Sequence, residues 1–364
     1  GYNVAVGRSA LENNTTASYN TAVGYQAGLA VTTGTENTLI GGAAGDAITT
    51  SNANVALGRL ALSAETTSNG NTAIGAEALR NQNVGGSGDA RNTAVGLLAG
   101  ASVTTGIQNT FIGGLAGDAL TVGGNNVALG YLALSADTQG SSSVAVGMSA
   151  LTAQNSTSET NMYNVAVGRN AGAAVTTGTN NTLIGGLAGD AITTASATTA
   201  IGQNALSACT TASNNVAVGQ DSLFTLTTGT GNVVLGTAAS RGMTTGNYNV
   251  VVGQEALKAN TTASKNTAVG HQAGFSNTTS GYNTFIGQTA GYSTTGVGNT
   301  FIGCSDNSVG AGYFVTTGTK NTIIGGYHGN QGGLDIRTSS NNIVLSDGDG
   351  NPRGYYWGSS GDPA

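Results

Sequence analysis

Charged side chains are scarce in this 364-residue sequence: they make up 8% of the chain, and aromatic side chains make up 5%. An ordinary globular domain has about 25% charged residues. The formal net charge of -6 and the lack of basic stripes argue against a protein that follows nucleic-acid phosphates. No apolar run approaches the roughly 18 residues that a transmembrane helix needs. The sequence therefore predicts neither a nucleic-acid partner nor a membrane-spanning helix.

Cysteine and histidine are almost absent, with two of each. Cys209 and Cys304 lie 95 residues apart at different positions of a repeat. We interpret them as buried or half-buried free thiols rather than a disulfide, which leaves the redox compartment open. His271 and His328 have no carboxylate or nucleophile arranged around them in sequence. We therefore expect a protein that is not an enzyme.

What the chain does contain is a repeated motif, Asn-[Thr/Val]-apolar-[Val/Ile/Leu]-Gly, which runs from Asn3–Gly7 to Asn342–Ser346. Of the 19 steps between the 20 copies, 14 are 17 residues long and the others are 16, 21, 21, 21 and 22. A fixed period of this kind is typical of a solenoid, in which each coil contacts only its neighbours. The motif spans one short strand, and the Gly that ends it suits a corner. The sequence thus predicts an all-β solenoid or β-roll of about 20 coils over residues 1–346, followed by a capping segment over residues 347–364.

Both faces of the predicted strand are apolar. Motif positions 2 and 4 share one face, and position 3, mostly Ala, points to the other. One face packs against the second half of its own coil, and we expect the small residues at position 3 to pack closely against other chains. Since a thin coil encloses little core, association with further copies of the chain is expected. We favour three chains about a common axis, although the repeat alone would also permit two. The larger position 3 residues are the candidates for this trimer interface or core: Leu39, Phe111, Leu183, Phe285, Phe301 and Ile323.

Two segments carry a resemblance to known families. Ser143-Val144-Ala145-Val146-Gly147 resembles the head repeat of trimeric autotransporter adhesins of the YadA type. Segments such as 20–27 and 266–273 resemble the Asn-Thr-Ala-Val-Gly-Tyr-Gln-Ala units of bacteriophage tail fibre proteins, and residues 342–353 are similar to the segment that closes the shaft of such fibres. The resemblance implies a left-handed, homotrimeric parallel β-roll that attaches a virion to its host through a saccharide or an outer-membrane protein. The alternative is the head of an autotransporter adhesin on a bacterial outer membrane.

Candidate sites fall where the repeat becomes irregular, after residue 303. Asp347, Asp349 and Asn351 alternate like the start of a Ca²⁺ loop, although the downstream bidentate Glu is missing, so an Asp/Gly turn is the alternative. No other cofactor is indicated. Exposed loop aromatics are typical of contact surfaces, and the other interpretation is that they cap the last coil. The candidates for receptor contact are Tyr313, Phe314, Tyr327, His328, Arg337, Tyr355, Tyr356 and Trp357.

Overall fold

The structure, a computed structural model, describes residues 1–86, 88–305 and 309–356. Every regular element in these ranges is a β-strand, and they contain no helix that could cross a membrane. The chain divides into two compact units, Gly1–Asn181 and Thr182–Ala364. Each unit is a parallel β-solenoid with a repeat of about 17 residues, and together they hold about 20 coils, as the motif predicts.

The first unit contributes one three-residue strand from each coil. Each strand pairs in parallel with the strand of the next coil, and equivalent residues face each other, as in Thr21↔Thr38 and Ala22↔Leu39. The register is not shifted between these strands, although the segments that lead to the strands at 93–95 and 165–167 are four residues longer than the others. The strands are β1 (Val4–Val6), β2 (Thr21–Val23), β3 (Thr38–Ile40), β4 (Val55–Leu57), β5 (Thr72–Ile74), β6 (Thr93–Val95), β7 (Thr110–Ile112), β8 (Val127–Leu129), β9 (Val144–Val146) and β10 (Val165–Val167).

The second unit continues this pattern and then departs from it. A short antiparallel hairpin interrupts the last coils, and the final strand runs back antiparallel along the strand before it. The parallel strands are β11 (Thr182–Ile184), β12 (Thr199–Ile201), β13 (Val216–Val218), β14 (Val233–Leu235), β15 (Val250–Val252), β16 (Thr267–Val269), β17 (Thr284–Ile286), β18 (Thr300–Ile302), β19 (Thr322–Ile324) and β22 (Ile343–Ser346). The hairpin is β20 (Asn330–Gln331) and β21 (Leu334–Asp335), and the returning strand is β23 (Pro352–Tyr356).

The motif Asn joins one coil to the next. The Asn20 side chain accepts a hydrogen bond from the backbone N–H of Asn37 (2.9 Å) and from its amide group (3.1 Å). The Asn37 amide also donates to the carbonyl oxygen of Ser51, at 2.9 Å. The same contacts recur along both units, so these buried amides form the hydrogen-bonded ladder that the repeat predicts.

The motif Gly is required by the spacing of the coils. Gly58 has φ +142°, and a Cβ added there would lie 2.3 Å from the carbonyl oxygen of Gly75 in the next coil. That contact is with backbone, which has no freedom to move aside. Any side chain at this corner would therefore push adjacent coils apart.

The motif Asn is position 1 of each coil. Position 3, which lies in the strand, and position 9 together fill the core. Where position 3 is Phe111, position 9 of the same coil is Gly117, and the ring occupies the space that a side chain would need. In the next coil position 3 is Ala128, and position 9 is a fully buried Leu134. The residue sizes at the two positions are complementary in these two coils, whereas both are small in a coil such as that of Ala94 and Gly100, where Phe111 and Leu79 of the neighbouring coils fill the space.

The structure corrects our expectation for position 3. Leu39 and Phe111 in the first unit, and Leu183, Phe285 and Phe301 in the second, have no exposed surface within a single chain. The same is true of Ile323. These side chains form the interior of their own coils and have no surface left for contact with another chain.

The apolar face that remains uncovered is that of positions 2 and 4. In β4, for example, Val55 is half-buried and Leu57 is exposed, and in β19 the exposed residue is Ile324. The sequence alone misassigned the two faces because both are apolar and period-two alternation does not say which one points inward.

Candidate functional site

The irregular part of the second unit, from Gly303 onward, contains all the candidate receptor-contact residues. A parallel strand, a hairpin and an antiparallel strand meet here, whereas the coils before them repeat one turn pattern. Longer segments between strands bring together side chains that do not stack on equivalents in neighbouring coils. This is the part of the unit in which a site with its own geometry can form.

Aromatic rings form a continuous cluster at the start of this region. The Tyr313 ring stacks on Tyr292 of the preceding coil, with centroids 4.8 Å apart and planes at 9°. Phe314 meets Tyr313 edge-on at 4.9 Å and meets His328 edge-on at 5.2 Å. Phe314 is exposed, whereas Tyr313 and His328 are half-buried. The structure therefore brings Tyr313, Phe314 and His328 together through edge-on ring contacts, and Phe314 is the most exposed of the three.

Tyr327 is not available for contact, contrary to our expectation. Its ring has no exposed surface, and its hydroxyl donates a hydrogen bond to the carbonyl oxygen of Leu334 at 2.7 Å. Burial, together with the nearby Asp335 carboxylate, raises the pKa of Tyr327 above its ordinary value. Tyr327 is a core residue that holds the hairpin β20–β21 against the last coils. No feature of the sequence indicated this role, because the hairpin itself was not predicted.

His328 lies beside this core with one ring nitrogen unsatisfied. Its Nδ1 atom is buried and has no hydrogen-bond partner within the described residues. Burial lowers the pKa of His328, so the ring is neutral at neutral pH. A neutral imidazole with a free nitrogen suits packing and hydrogen bonding, and it adds no positive charge to the site.

A groove of about 390 Å³ lies between the tip of the hairpin and β23. Its walls are Gly332–Leu334 on one side and Pro352–Tyr355 on the other. Gly333 and Gly354 have open space where a side chain would be, so the groove is accessible. Its volume lies within the roughly 300–1,000 Å³ of typical small-ligand sites. Tyr355 lines the groove and is about half exposed, and its neighbour Tyr356 is also exposed on β23.

The two arginines of this region are paired within their own segments. Arg337 contacts the Asp335 carboxylate through Nε (3.0 Å) and Nη2 (2.8 Å), which lowers the pKa of Asp335 and raises that of Arg337. Arg353 donates from Nε to Asp347 at 2.8 Å and also lines the groove. Both pairs are exposed, so each adds little to stability and leaves the guanidinium accessible.

The Asp347 segment is a turn. One Asp347 oxygen accepts a hydrogen bond from the Asn351 backbone N–H at 2.8 Å, and the other accepts from Arg353. These contacts, led by the Asn351 N–H, lower the pKa of Asp347. Asp349 contributes its backbone carbonyl oxygen to Gln331. These contacts are those of an Asp/Gly turn, the alternative that the sequence left open, and within the described ranges no three His, Cys, Asp or Glu side chains are grouped to hold a metal ion.

Trp357, a candidate for receptor contact, lies outside the described residues. Of the two cysteines, both free, Cys209 is buried, which raises its pKa to about 11, and Cys304 is exposed rather than half-buried.

Sequence reasoning missed two fully buried carboxylates in the first unit, Glu65 and Asp137. Glu65 accepts hydrogen bonds from the backbone N–H groups of Thr67 (2.9 Å) and Ser68 (2.7 Å), and from the Gln82 amide (3.1 Å). Asp137 occupies the same coil position and accepts from backbone N–H groups and from a glutamine in the same way. Their spacing of 72 residues in the sequence was the available signal. Each is enclosed by its own turn, so its role is to hold that turn rather than to do chemistry.

No known protein family matches the chain, and no curated protein is significantly similar to it.

Proposed function

We propose that this chain is part of a non-enzymatic, homotrimeric adhesive fibre, a segment of a phage tail fibre that presents its C-terminal end to the host surface. The observation that carries the proposal is the uncovered apolar face of positions 2 and 4, which is repeated in coil after coil of both units. A face of this kind calls for a covering partner, since soluble monomers rarely expose large contiguous apolar patches.

A second copy of the same chain is the partner that matches this face best. Position 4 of successive coils forms a row on this face. The row includes Leu57 and Leu129 in the first unit and Ile324 and Leu345 in the second, each between 43% and 46% exposed. Identical chains aligned side by side place equal rows opposite each other at every coil. Neither position carries a charge in any strand, so close approach leaves no ion unpaired. The number of three chains comes from the family resemblance.

Receptor contact is assigned to the irregular end of the second unit. The groove between Gly332–Leu334 and Pro352–Tyr355 is lined more by polar than by apolar surface, and it offers one tyrosine ring and one guanidinium. Phe314 and Tyr356 add exposed rings nearby in sequence. A groove with an aromatic ring and convergent polar groups suits a polar ligand, and a saccharide or an outer-membrane protein is the class of receptor proposed.

Mass measurement in solution tests the trimer. We expect light scattering after size-exclusion chromatography to give three times the chain mass. Leu57→Lys combined with Ile324→Lys places charge in the apolar row and should lower that mass. Thr228→Lys, on an exposed position outside the row, is the matched control and should leave it unchanged. A monomeric wild-type chain would contradict the proposal.

Cryo-electron microscopy of the particles or cells that make the chain tests its biological owner. Fibres that join a phage baseplate or tail would support a virion protein. Fibres rooted in a bacterial outer membrane would instead favour the head of an autotransporter adhesin. Binding of the purified protein to host cells, compared with Tyr355→Ala and Phe314→Ala, then tests the receptor-contact region.

A further inference from the structure

A row of exposed tyrosines and lysines runs along the second unit, and none of its members lines the groove. Its members are Tyr248, Lys265, Tyr282 and Lys320, each the last residue of its coil, directly before the motif Asn of the next coil. Since equivalent positions of successive coils lie about 4.8 Å apart, the four side chains line up along the stack. We call this surface the lysine–tyrosine row.

The rings and ammonium groups of the row contact each other. Lys265 Nζ lies 5.0 Å from the centroid of the Tyr282 ring and 3.2 Å from its hydroxyl oxygen. Tyr248 packs over Gly231 of the preceding coil, and the Lys320 stem lies over Gly298. Tyr248 and Tyr282 nevertheless remain 62% and 64% exposed. Glycines lie under Tyr248 and Lys320, whereas Lys265 lies over the Tyr282 ring, and both rings keep more than half of their surface open to a ligand.

The charge of the row is unbalanced. Within the described residues neither Lys265 nor Lys320 forms an ion pair, whereas Lys258, seven residues before Lys265 in the same coil, is paired with Glu255 at 2.5 Å. No carboxylate occupies the last position of these coils or the residue before it. In a chain with a net charge of -6, the row is a local concentration of positive charge. Such a surface attracts anions.

Backbone conformation gives no reason for these residue types. Each member has a positive φ, between 56° and 62°, which costs an ordinary residue roughly 1–2 kcal/mol. Gly231 and Gly298 occupy the same position in neighbouring coils and adopt this conformation freely. Residues other than glycine adopt the same positive φ at this position in other coils, as Tyr19, Arg91 and Gln108 do, so the conformation belongs to the fold and the case for binding rests on the exposed rings and on the lysines that form no ion pair.

We infer that the lysine–tyrosine row binds an acidic saccharide, with sugar rings against Tyr248 and Tyr282 and sugar carboxylates at Lys265 and Lys320. Sugar rings present C–H faces that pack on aromatic faces, and carboxylates pair with ammonium groups. A nucleic acid would need many more cations than two. The site is separate from the receptor-contact region above and does not depend on it.

Calorimetric titration of the full chain tests this assignment. The probes are uronic-acid and nonulosonic-acid oligosaccharides, each with its carboxyl-reduced, neutral counterpart. We expect the acidic probes to bind, the neutral ones to bind weakly, and added salt to weaken binding. Lys265→Gln should lower affinity by about threefold to fivefold, and Tyr282→Ala by about tenfold.

Matched controls come from the chain itself. Lys258→Gln removes a lysine that is already paired, and Tyr163→Ala removes an exposed tyrosine from the same coil position in the first unit, where no lysine adjoins it. Both should bind as the wild type does. The inference is overturned if no acidic probe binds, or if the reduced probes bind equally well. It is also overturned if Lys265→Gln changes the mass in solution, since the row would then be a contact between chains.

Discussion

Exchanging the sizes of Phe111 and Gly117 tests how the core of the solenoid is filled. A Cβ on Gly117 would lie 2.4 Å from the Phe111 ring, so these positions compete for the same space. Phe111→Ala leaves a cavity and should cost about 3–5 kcal/mol of unfolding free energy. Gly117→Leu alone overfills the site, at about 1–3 kcal/mol, and adds roughly 1–2 kcal/mol because φ there is +57°.

The double variant should be more stable than this sum predicts. Phe111→Ala with Gly117→Leu recreates the pair found one coil later, where Ala128 and Leu134 are both fully buried and Leu134 has φ 54°. Leucine then fills the space at position 9, whereas the space beside Gly100 of the preceding coil, which the Phe111 ring also fills, stays partly open, so the backbone cost and imperfect packing remain. We expect the double variant to lose about 2–3 kcal/mol, against roughly 5–10 kcal/mol for the two single changes added together.

Hydrogen exchange measured by mass spectrometry is the suitable assay, on peptides that cover residues 93–129. Coils of a solenoid can open locally, and a global melting temperature averages over them. Protection in these peptides should fall in both single variants and recover in part in the double variant. If the double variant exchanges as fast as additivity predicts, the two positions do not share one space and the packing argument fails.

Three further changes test other parts of the structure. Glu65→Ala leaves buried backbone N–H groups without acceptors and should lower the unfolding free energy, measured by chemical denaturation, by about 3 kcal/mol. A loss of unfolding free energy below about 1 kcal/mol would show that the carboxylate does not hold its turn. Burial raises the pKa of Asp46 and Asp118, and one oxygen of each has no hydrogen-bond partner in the described structure. The folded state therefore binds a proton at each carboxylate more tightly than the unfolded state does. The stability that results is fully present below the unfolded pKa of about 3.9 and is lost as the pH rises through the folded pKa. The double variant Asp46→Asn with Asp118→Asn should raise the unfolding free energy at neutral pH, by a few tenths of a kcal/mol to about 1 kcal/mol, and should have little effect near pH 3. Asp190→Asn is the control, because the Asp190 carboxylate is hydrogen-bonded to a serine, and it should give no gain at either pH. Gly58→Ala forces a Cβ to within 2.3 Å of a carbonyl oxygen in the next coil and should abolish protection of that coil in hydrogen exchange, and wild-type protection there would refute the close approach.

The repeat alone was sufficient to predict the solenoid, its period and the Asn ladder. A motif copied 20 times gives every coil the same strand and the same turns, so local rules add up to one consistent architecture. The Gly at each corner and the amide at each strand start follow from residue type and spacing. These features depend on contacts between equivalent positions, which a periodic sequence brings together by itself.

The tertiary structure decided which apolar face is inside. Position 3 and position 9 fill one space, and the match between Phe111 and Gly117 becomes apparent only when the coil is closed. It also decided that Tyr327 is core and that Phe314 is exposed, because the hairpin β20–β21 breaks the repeat and makes contacts that no period predicts. Periodicity determines the contacts between like positions, whereas contacts between unlike positions depend on how the chain closes on itself in three dimensions.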